Sequence, residues 1–431
     1  LAAILLGEAL CGWLYLTAAS EADRLLLALS AALLPYALLV CLTALFTGTL
    51  QTLGRFAAAA APPLVLNVVW LIAALAIAPR FAAEEVGRAY VLAGGIVGAG
   101  LLQVGLAVWL LRRAGFHLAF ASPWREPEVA RIAARMSPAL LGLAATQFNT
   151  FADSLIAWFF AAREGVDSLF VLPLPLESGA AAAAYYGERL YQFPLGIVGV
   201  AVATVIFPRL ARHAARKEMP LVGTDLTQGL LMVLFLGVPA SAGLVLLAEP
   251  LARLLFEHGE FTAHDAERTA GMIACYSAAV WAYCGNSVIV RGFHAVNDQR
   301  TPLRAALAAM VLNLVLNLTL IWPLAERGLA VATAAAGAAQ FGLLIGLFHG
   351  RHVRLDLARL GRGMVRFTAA TLAACLAAWL VLRAIPAQDF LTAALRVAGP
   401  LAAALGVYFL WAGLAGWPEL RELLPGARRE N

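Results

Sequence analysis

Tyr185, Glu188, Arg189 and Gln192 stand at i, i+3, i+4 and i+7 in the stretch YYGERLYQFPLG, so on a helix they share one face. An arginine fork matches phosphate oxygens bidentately, which makes Arg189 a ligand for an anionic head group. The alternative is that Glu188 neutralises Arg189 within the helix and the face only packs. The anion reading is preferred. A charge at mid-bilayer costs about 2.5–3.5 kcal/mol on insertion scales, and such residues face a cavity or a partner. Pro194 follows two residues later and frees the carbonyl of Leu190, which predicts a kink just beyond this face.

A second group lies in RMSPALLGLAATQFNTFADSLIAWFF, where Asn149 and Asp153 are i and i+4, with Gln147, Thr150 and Ser154 beside them. An aspartate with no basic residue on its own helix requires a cation, a proton or a partner from another helix. Asn313 and Asn317, again i and i+4, and Thr333 in GLAVATAAAGAAQF bring amide and hydroxyl oxygens from two further helices. Such oxygens suit a hard cation, so a sodium or proton site is one reading. Interhelical hydrogen bonding alone uses the same residue types and is the other.

Both groups need membrane helices to position them. Of the 431 residues, 62% are apolar and only 13% charged, with a mean hydropathy of +0.81. Soluble domains carry about 25% charged residues, so this composition specifies a polytopic membrane protein. Apolar runs of about 20 residues have no strand reading in lipid, where open sheet edges leave polar groups unpaired. An all-α fold with about twelve spans is predicted, at 1–19, 26–50, 57–79, 90–111, 136–160, 180–207, 227–248, 269–290, 304–323, 328–348, 365–385 and 391–414. Basic residues set the orientation, because cytoplasmic loops retain Arg and Lys. Loops on one side hold 21 of the 31 basic residues and those on the other hold 9, which places both ends of the chain in the cytoplasm. Arg189 belongs to neither set.

Other chemistry is excluded by residue type. The single lysine, Lys217, sits in ARKE with no glycine-rich loop before it, so there is no Walker A site. The five cysteines lie in apolar runs without C-x-x-C spacing, and the seven histidines lack metal-ligand spacing. No nucleophilic triad and no nucleic-acid motif is present, which argues for a transporter rather than an enzyme. A weak repeat aligns Asn67 with Asn313, each in a V-L-N core. If these helices are equivalent in two lobes, two helices are expected ahead of residue 1, consistent with an opening Leu and no signal peptide.

Several segments resemble one family, the lipid II flippases of bacterial peptidoglycan synthesis (MurJ, formerly MviN), in the multidrug/oligosaccharidyl-lipid/polysaccharide (MOP) exporter superfamily. They are GTLQTLGRFAAAAAPPLVLN, SPALLGLAATQFNTFADSLIA, YYGERLYQFPLGIVGVAVATVIFPRLARH, and RGFHAVNDQRTPLRAALAAMVLNLVLN followed by GLAVAT. The resemblance implies a fourteen-helix, two-lobe fold of which this chain is helices three to fourteen. Residues 1–111 would be the incomplete N-terminal lobe, 112–135 a cytoplasmic linker, 136–350 the C-terminal lobe, and 351–431 a helix pair with a basic tail. It implies a flippase that moves undecaprenyl-pyrophosphate-linked peptidoglycan precursor to the periplasmic leaflet of the bacterial inner membrane by alternating access. The alternatives are a flippase for another polyprenyl-linked glycan, or a multidrug/cation antiporter of the same superfamily. Arg189 then matches a pyrophosphate-binding arginine and Glu188 the acid before it. Gln192 stands where a second acid is common, and Tyr185 completes the face. A sodium site carries over onto Asp153, Asn313, Asn317, the carbonyl of Leu329 and Thr333, with Asn317 where some members have Asp. Sodium coupling and cell-wall synthesis partners are further expectations; no other cofactor and no nucleic acid is expected.

Overall fold

The computed structural model describes residues 2–17, 21–81, 84–116, 131, 144, 147–162, 168–169, 172–386 and 389–423. Most of the expected linker at 112–135, the first part of the expected span at 136–160, and the basic tail from 424 onward lie outside the described residues. The chain forms two compact units, Leu1–Arg125 and Glu126–Asn431.

In the first unit, α1 (Ala2–Thr17) leads into α2 (Glu21–Thr52). Next comes α3 (Phe56–Ile72), which continues through a π turn at Ala73–Ile77 into Ala78–Phe81, and then α4 (Glu85–Arg113). Helices α2 and α3 both pack on α4. Close approach to α2 requires Gly100 of α4, since a Cβ there would come within 2.8 Å of the Tyr36 ring and 2.9 Å of Leu39. The buried Gln103 of α4 donates to the carbonyl of Pro62 at 3.1 Å inside an otherwise apolar contact, while its amide oxygen is buried without a partner.

The second unit begins its described part with α5, residues 147–159. A minimal hairpin pairs β1 (Ser168–Leu169) with β2 (Leu172–Pro173). Helix α6 runs over Ala180–Pro194, a π turn at Leu195–Val200, and Ala201–Ala215. Then follow α7 (Met219–Leu246), α8 (Ala248–Phe256), α9 (Ala263–Ser277), α10 (Val280–Ala295), α11 (Arg300–Leu324) and α12 (Glu326–Arg351). The last described elements are α13 (Leu357–Ala384), α14 (Phe390–Leu414) and α15 (Pro418–Leu423).

Among the described residues nine helices are long and apolar enough to cross a membrane, or ten if α9 and α10 form one span, while α1 is shorter. Three sequence expectations are corrected. The span expected at 269–290 is two helices bent by 41° at a break after Ser277. The span expected to end at 207 continues as helix to Ala215, so Arg209 and Arg212 lie on its last turns and not in a loop. The span expected at 227–248 starts eight residues earlier, at Met219, and takes Asp225 into the bundle, where Arg209 pairs with it at 2.7 Å. Hydropathy marks the apolar stretch, whereas helices extend past it on charged ends that reach the interface.

Beyond its polar first turns, helix α7 is apolar on nearly every face from Gly229 onward and forms the centre of the unit, with Leu226, Leu230, Leu231 and Phe235 fully buried. Pro239 lacks the N–H that would have served the carbonyl of Phe235. The Tyr408 hydroxyl of α14 donates to that carbonyl at 2.6 Å, with both groups buried. Phe367 and Trp417 pack on the same Phe235 ring, and Glu419 of α15 is buried against Arg366, which also lies over the Phe367 and Trp417 rings. Removing the donor with Tyr408→Phe should lower stability by about 1–3 kcal/mol, because the buried carbonyl is then unpaired. Adding Pro239→Ala in that background should restore most of the loss by returning the helical N–H, which thermal unfolding of the four proteins of the cycle would test.

Asp298, between α10 and α11, shows how a loop outside the membrane is held. Burial works against its ionisation, but the Thr301 backbone N–H at 3.0 Å, the Thr301 hydroxyl at 2.7 Å and His352 at 3.0 Å outweigh it and hold the carboxyl below its usual range. A depressed carboxylate contributes stability above its unfolded pKa of about 3.9 and loses it as pH falls through the lower folded value. Asp298→Asn should therefore flatten the acid limb of the stability profile below about pH 4, read by unfolding across pH.

Candidate functional site

The α11–α12 hairpin builds the first cluster. Its turn is tight: Ala325 has φ 48°, and Gly328 lies against the Leu320 carbonyl where no Cβ fits. Asn317 stands seven residues before Leu324 and Thr333 seven after Glu326, so both lie about 10 Å along their helices from the turn. Asp153 of α5 meets them there. Asn317 donates to Asp153 Oδ1 at 2.6 Å, and the Thr333 hydroxyl lies 3.2 Å from Asp153 Oδ2 and 3.1 Å from the Leu329 carbonyl. The amide of Asn149, one turn before Asp153, reaches Asp153 Oδ2 at 3.4 Å. Asn313 and Asn317 are almost fully buried, at 2% and 0% exposure. Ser154, expected beside this group, instead bonds the Thr150 carbonyl of its own helix.

No orientation of the Asn313 amide satisfies the whole cluster. The amide atom facing Asp153 lies 2.9 Å from Asp153 Oδ1, 3.1 Å from Asn149 Oδ1 and 2.8 Å from the Asn317 nitrogen. As oxygen it accepts from Asn317 but meets two other oxygens; as nitrogen it donates to those oxygens but meets the Asn317 nitrogen, donor against donor. Asn317 Oδ1 is buried without a partner as well. A convergence of oxygens at these separations matches the donor set of a hard cation. Groups of three or more His, Cys, Asp or Glu that would suit a transition metal are absent among the described residues.

The second cluster runs along α6. Arg189 donates to Gln192 Oε1 at 3.1 Å and to the Tyr185 hydroxyl at 3.2 Å, and its guanidinium lies 4.6 Å over the Tyr185 ring. Gln192 in turn donates to Glu188 at 2.9 Å. Glu188 is thus held by a neutral amide and by the Tyr191 hydroxyl, with the charge of Arg189 acting on it from the adjacent position, while the hydrogen-bond partners of Arg189 among the described residues are neutral. Arg189 and Tyr185 are exposed, Glu188 and Gln192 half-buried. A chain of side chains runs Tyr185, Arg189, Gln192, Glu188, with the positive charge at its open edge. The expected irregularity at Pro194 takes the form of the π turn at Leu195–Val200.

Sequence reasoning passed over Tyr191, which is buried at 9% exposure and stacks on Tyr276 of α9 and Tyr283 of α10, with ring centroids 5.4 and 5.1 Å away. Its neighbours on the helix carried the charge that drew the reading; a tyrosine in an apolar stretch gives no signal until its partners are known.

The family described as Lipid II flippase MurJ matches residues 1–399. A "Probable lipid II flippase MurJ" of Vibrio cholerae is 34% identical over 320 residues, covering 74% of this chain and 57% of that protein. One of Rhizobium meliloti is 34% identical over 391 residues, covering 89% and 69%. The chain therefore spans under three fifths of the Vibrio relative's length. Among solved structures, "Lipid II flippase MurJ, inward closed conformation" aligns with a TM-score of 0.73 at 19% identity, covering 95% of this chain and 82% of that one. A multidrug resistance MATE family transporter of the MOP superfamily aligns at 0.59 and 14% identity, covering 85% and 80%. These two show a shared fold, and the match over residues 1–399 assigns the lineage: the chain belongs to the lipid II flippase MurJ family.

Proposed function

We propose that the protein to which this chain belongs is a flippase for lipid II, a peptidoglycan precursor linked through pyrophosphate to a polyprenyl tail, and that it makes and breaks no bond. The observation that carries the reading is Arg189, an exposed guanidinium on a membrane helix whose hydrogen-bond partners among the described residues, Gln192 and Tyr185, are neutral and on its own helix. A pyrophosphate offers the bidentate oxygens that such a fork takes. Binding releases the Arg189 hydrogen bonds to Gln192 and Tyr185, while Glu188 keeps Gln192 in place. The apolar tail stays in the bilayer, and rocking of one helical bundle against another carries the head group from the cytoplasmic to the periplasmic leaflet. The basic-residue bias supports an inner-membrane protein with both ends of this chain in the cytoplasm.

Asp153, Asn149, Asn313, Asn317, Thr333 and the Leu329 carbonyl form the donor set of a sodium site. The frustrated amides support it: a cation among the inward-facing oxygens removes every like-with-like contact around Asn313 on that side. Sodium would supply a coupling gradient, acting with the membrane potential. Cell-wall synthesis proteins are the macromolecular partners this role implies.

The test is rescue of a bacterium depleted of its own lipid II flippase by the full-length protein. Restored growth and cell shape support the assignment. Failure by protein that is abundant in the membrane would overturn it in favour of another polyprenyl-linked glycan or a drug/cation antiporter.

A further inference from the structure

Helix α6 and the broken pair α9–α10 run side by side in backbone contact. At one end Gly187 faces Met272, whose Cβ a side chain at 187 would meet at 2.7 Å, and the Ile273 backbone nitrogen at 3.3 Å. At the other, a Cβ at Gly199 would lie 3.1 Å from the Cys284 Cα and 3.3 Å from the Ser287 hydroxyl. Both helices lose regularity within this stretch of contact. On α6 it is the π turn after Pro194; on its neighbour it is the 41° bend between Ser277 and Val280. The freed N–H of Trp281 in the first turn of α10 is taken by the Ser241 hydroxyl of α7 at 2.9 Å, so the break is served by a side chain and persists in a buried setting.

Tyr191 sits in this elbow. Tyr276, its first ring contact, is the second-last residue of α9, and Tyr283, its other, lies in the first turn of α10. One ring of α6 is therefore clasped by a ring on each side of the break, three residues before Pro194. A tilted pair of aromatic rings resists sliding, since each has a preferred offset.

We propose that Tyr191 is a positioning residue: its ring locks α6, just ahead of its π turn, to the elbow of α9–α10. The half of α6 that carries Tyr185, Glu188, Arg189 and Gln192 then moves with α9, and the half beyond the π turn moves with α10. Bending at the clasp would change where Arg189 points while leaving its contacts on its own helix intact. The consequence for transport rests on the anion-site reading; the mechanical claim does not.

Spin labels carried by unnatural amino acids at the exposed positions Ala182, Val205 and Glu267 test both, in the full-length protein in lipid nanodiscs. The 182–267 distance reports the α6–α9 piece and the 182–205 distance reports the bend of α6. Tyr191→Phe keeps the ring and should give the narrow distributions of the unsubstituted protein. Tyr191→Leu should broaden both distances, and should weaken binding of undecaprenyl pyrophosphate while the protein stays monodisperse. Adding that lipid to the unsubstituted protein should shift 182–205 and leave 182–267 in place. Unchanged distributions in Tyr191→Leu, broadening in Tyr191→Phe, or a lipid-induced shift of 182–267 would each overturn the clasp. Absence of lipid binding to the unsubstituted protein would sink the anion-site reading alone, because the widths without lipid still decide the mechanical claim.

Discussion

Arg189→Ala should weaken binding of undecaprenyl pyrophosphate by roughly 30-fold or more and abolish rescue of a flippase-depleted strain. Truncating one side of a desolvated charge pair costs about 2–5 kcal/mol, and each 1.4 kcal/mol is a factor of ten. The structure adds a reason to expect little loss of stability alongside. Arg189 is exposed and its partners Gln192 and Tyr185 lie on its own helix, so the substitution leaves no buried acid unpaired. Arg189→Lys separates charge from fork: a lysine keeps the point charge but cannot hold two oxygens in one plane, so it should bind with intermediate affinity. Binding measured by thermophoresis and growth measured in the same strains would check the pair. A strain that grows normally on well-expressed Arg189→Ala would remove this residue from the substrate site.

The second large effect should come from Asp153. If the cluster takes sodium, the ion stabilises the folded state by mass action, about 2.7 kcal/mol when present at 100 times its dissociation constant. Asp153→Asn removes the carboxylate that four neighbouring groups surround, and the rise of Tm with sodium should vanish, with potassium at equal ionic strength as the control. Asn317→Asp should act in the opposite direction. A second carboxylate at this buried position repels the first when no cation is present and adds charge for one that is. The sodium-dependent part of Tm should therefore grow while Tm without sodium falls. Equal Tm in sodium and potassium for the unsubstituted protein would return the cluster to interhelical hydrogen bonding.

Much of both clusters was legible in the order of residues, for different reasons. The α6 face needs only the helical period: 185, 188, 189 and 192 fall together whatever the rest of the chain does. Asn313 with Asn317 and Asn149 with Asp153 follow from the same period. What brings α5 to the α11–α12 hairpin is separated by 164 residues between Asp153 and Asn317, and no local pattern encodes it. From the residues alone interhelical hydrogen bonding stands slightly ahead of the cation reading, and only the family resemblance raises the latter. The separations in the structure change the question, because they place like against like around the Asn313 amide.

Composition and apolar periodicity by themselves determined that this is a polytopic helical membrane protein, since lipid offers no water to unpaired backbone groups and leaves few alternatives. They also located its charged exception, Arg189, because a mid-span charge stands out against apolar surroundings. Only the tertiary structure decided where helices break and what those breaks serve. The sequence Tyr276-Ser-Ala-Ala-Val280 has neither proline nor glycine, and reads as continuous helix. At its bend Ser241 takes the freed N–H of Trp281, and the Tyr191 ring lies against Tyr276 and Tyr283, all three contacts coming from other helices. Likewise Pro239 announces an orphaned carbonyl, but only the fold supplies Tyr408 to satisfy it. Local residue order fixes where a backbone group loses its partner, and long-range packing chooses the group that replaces it.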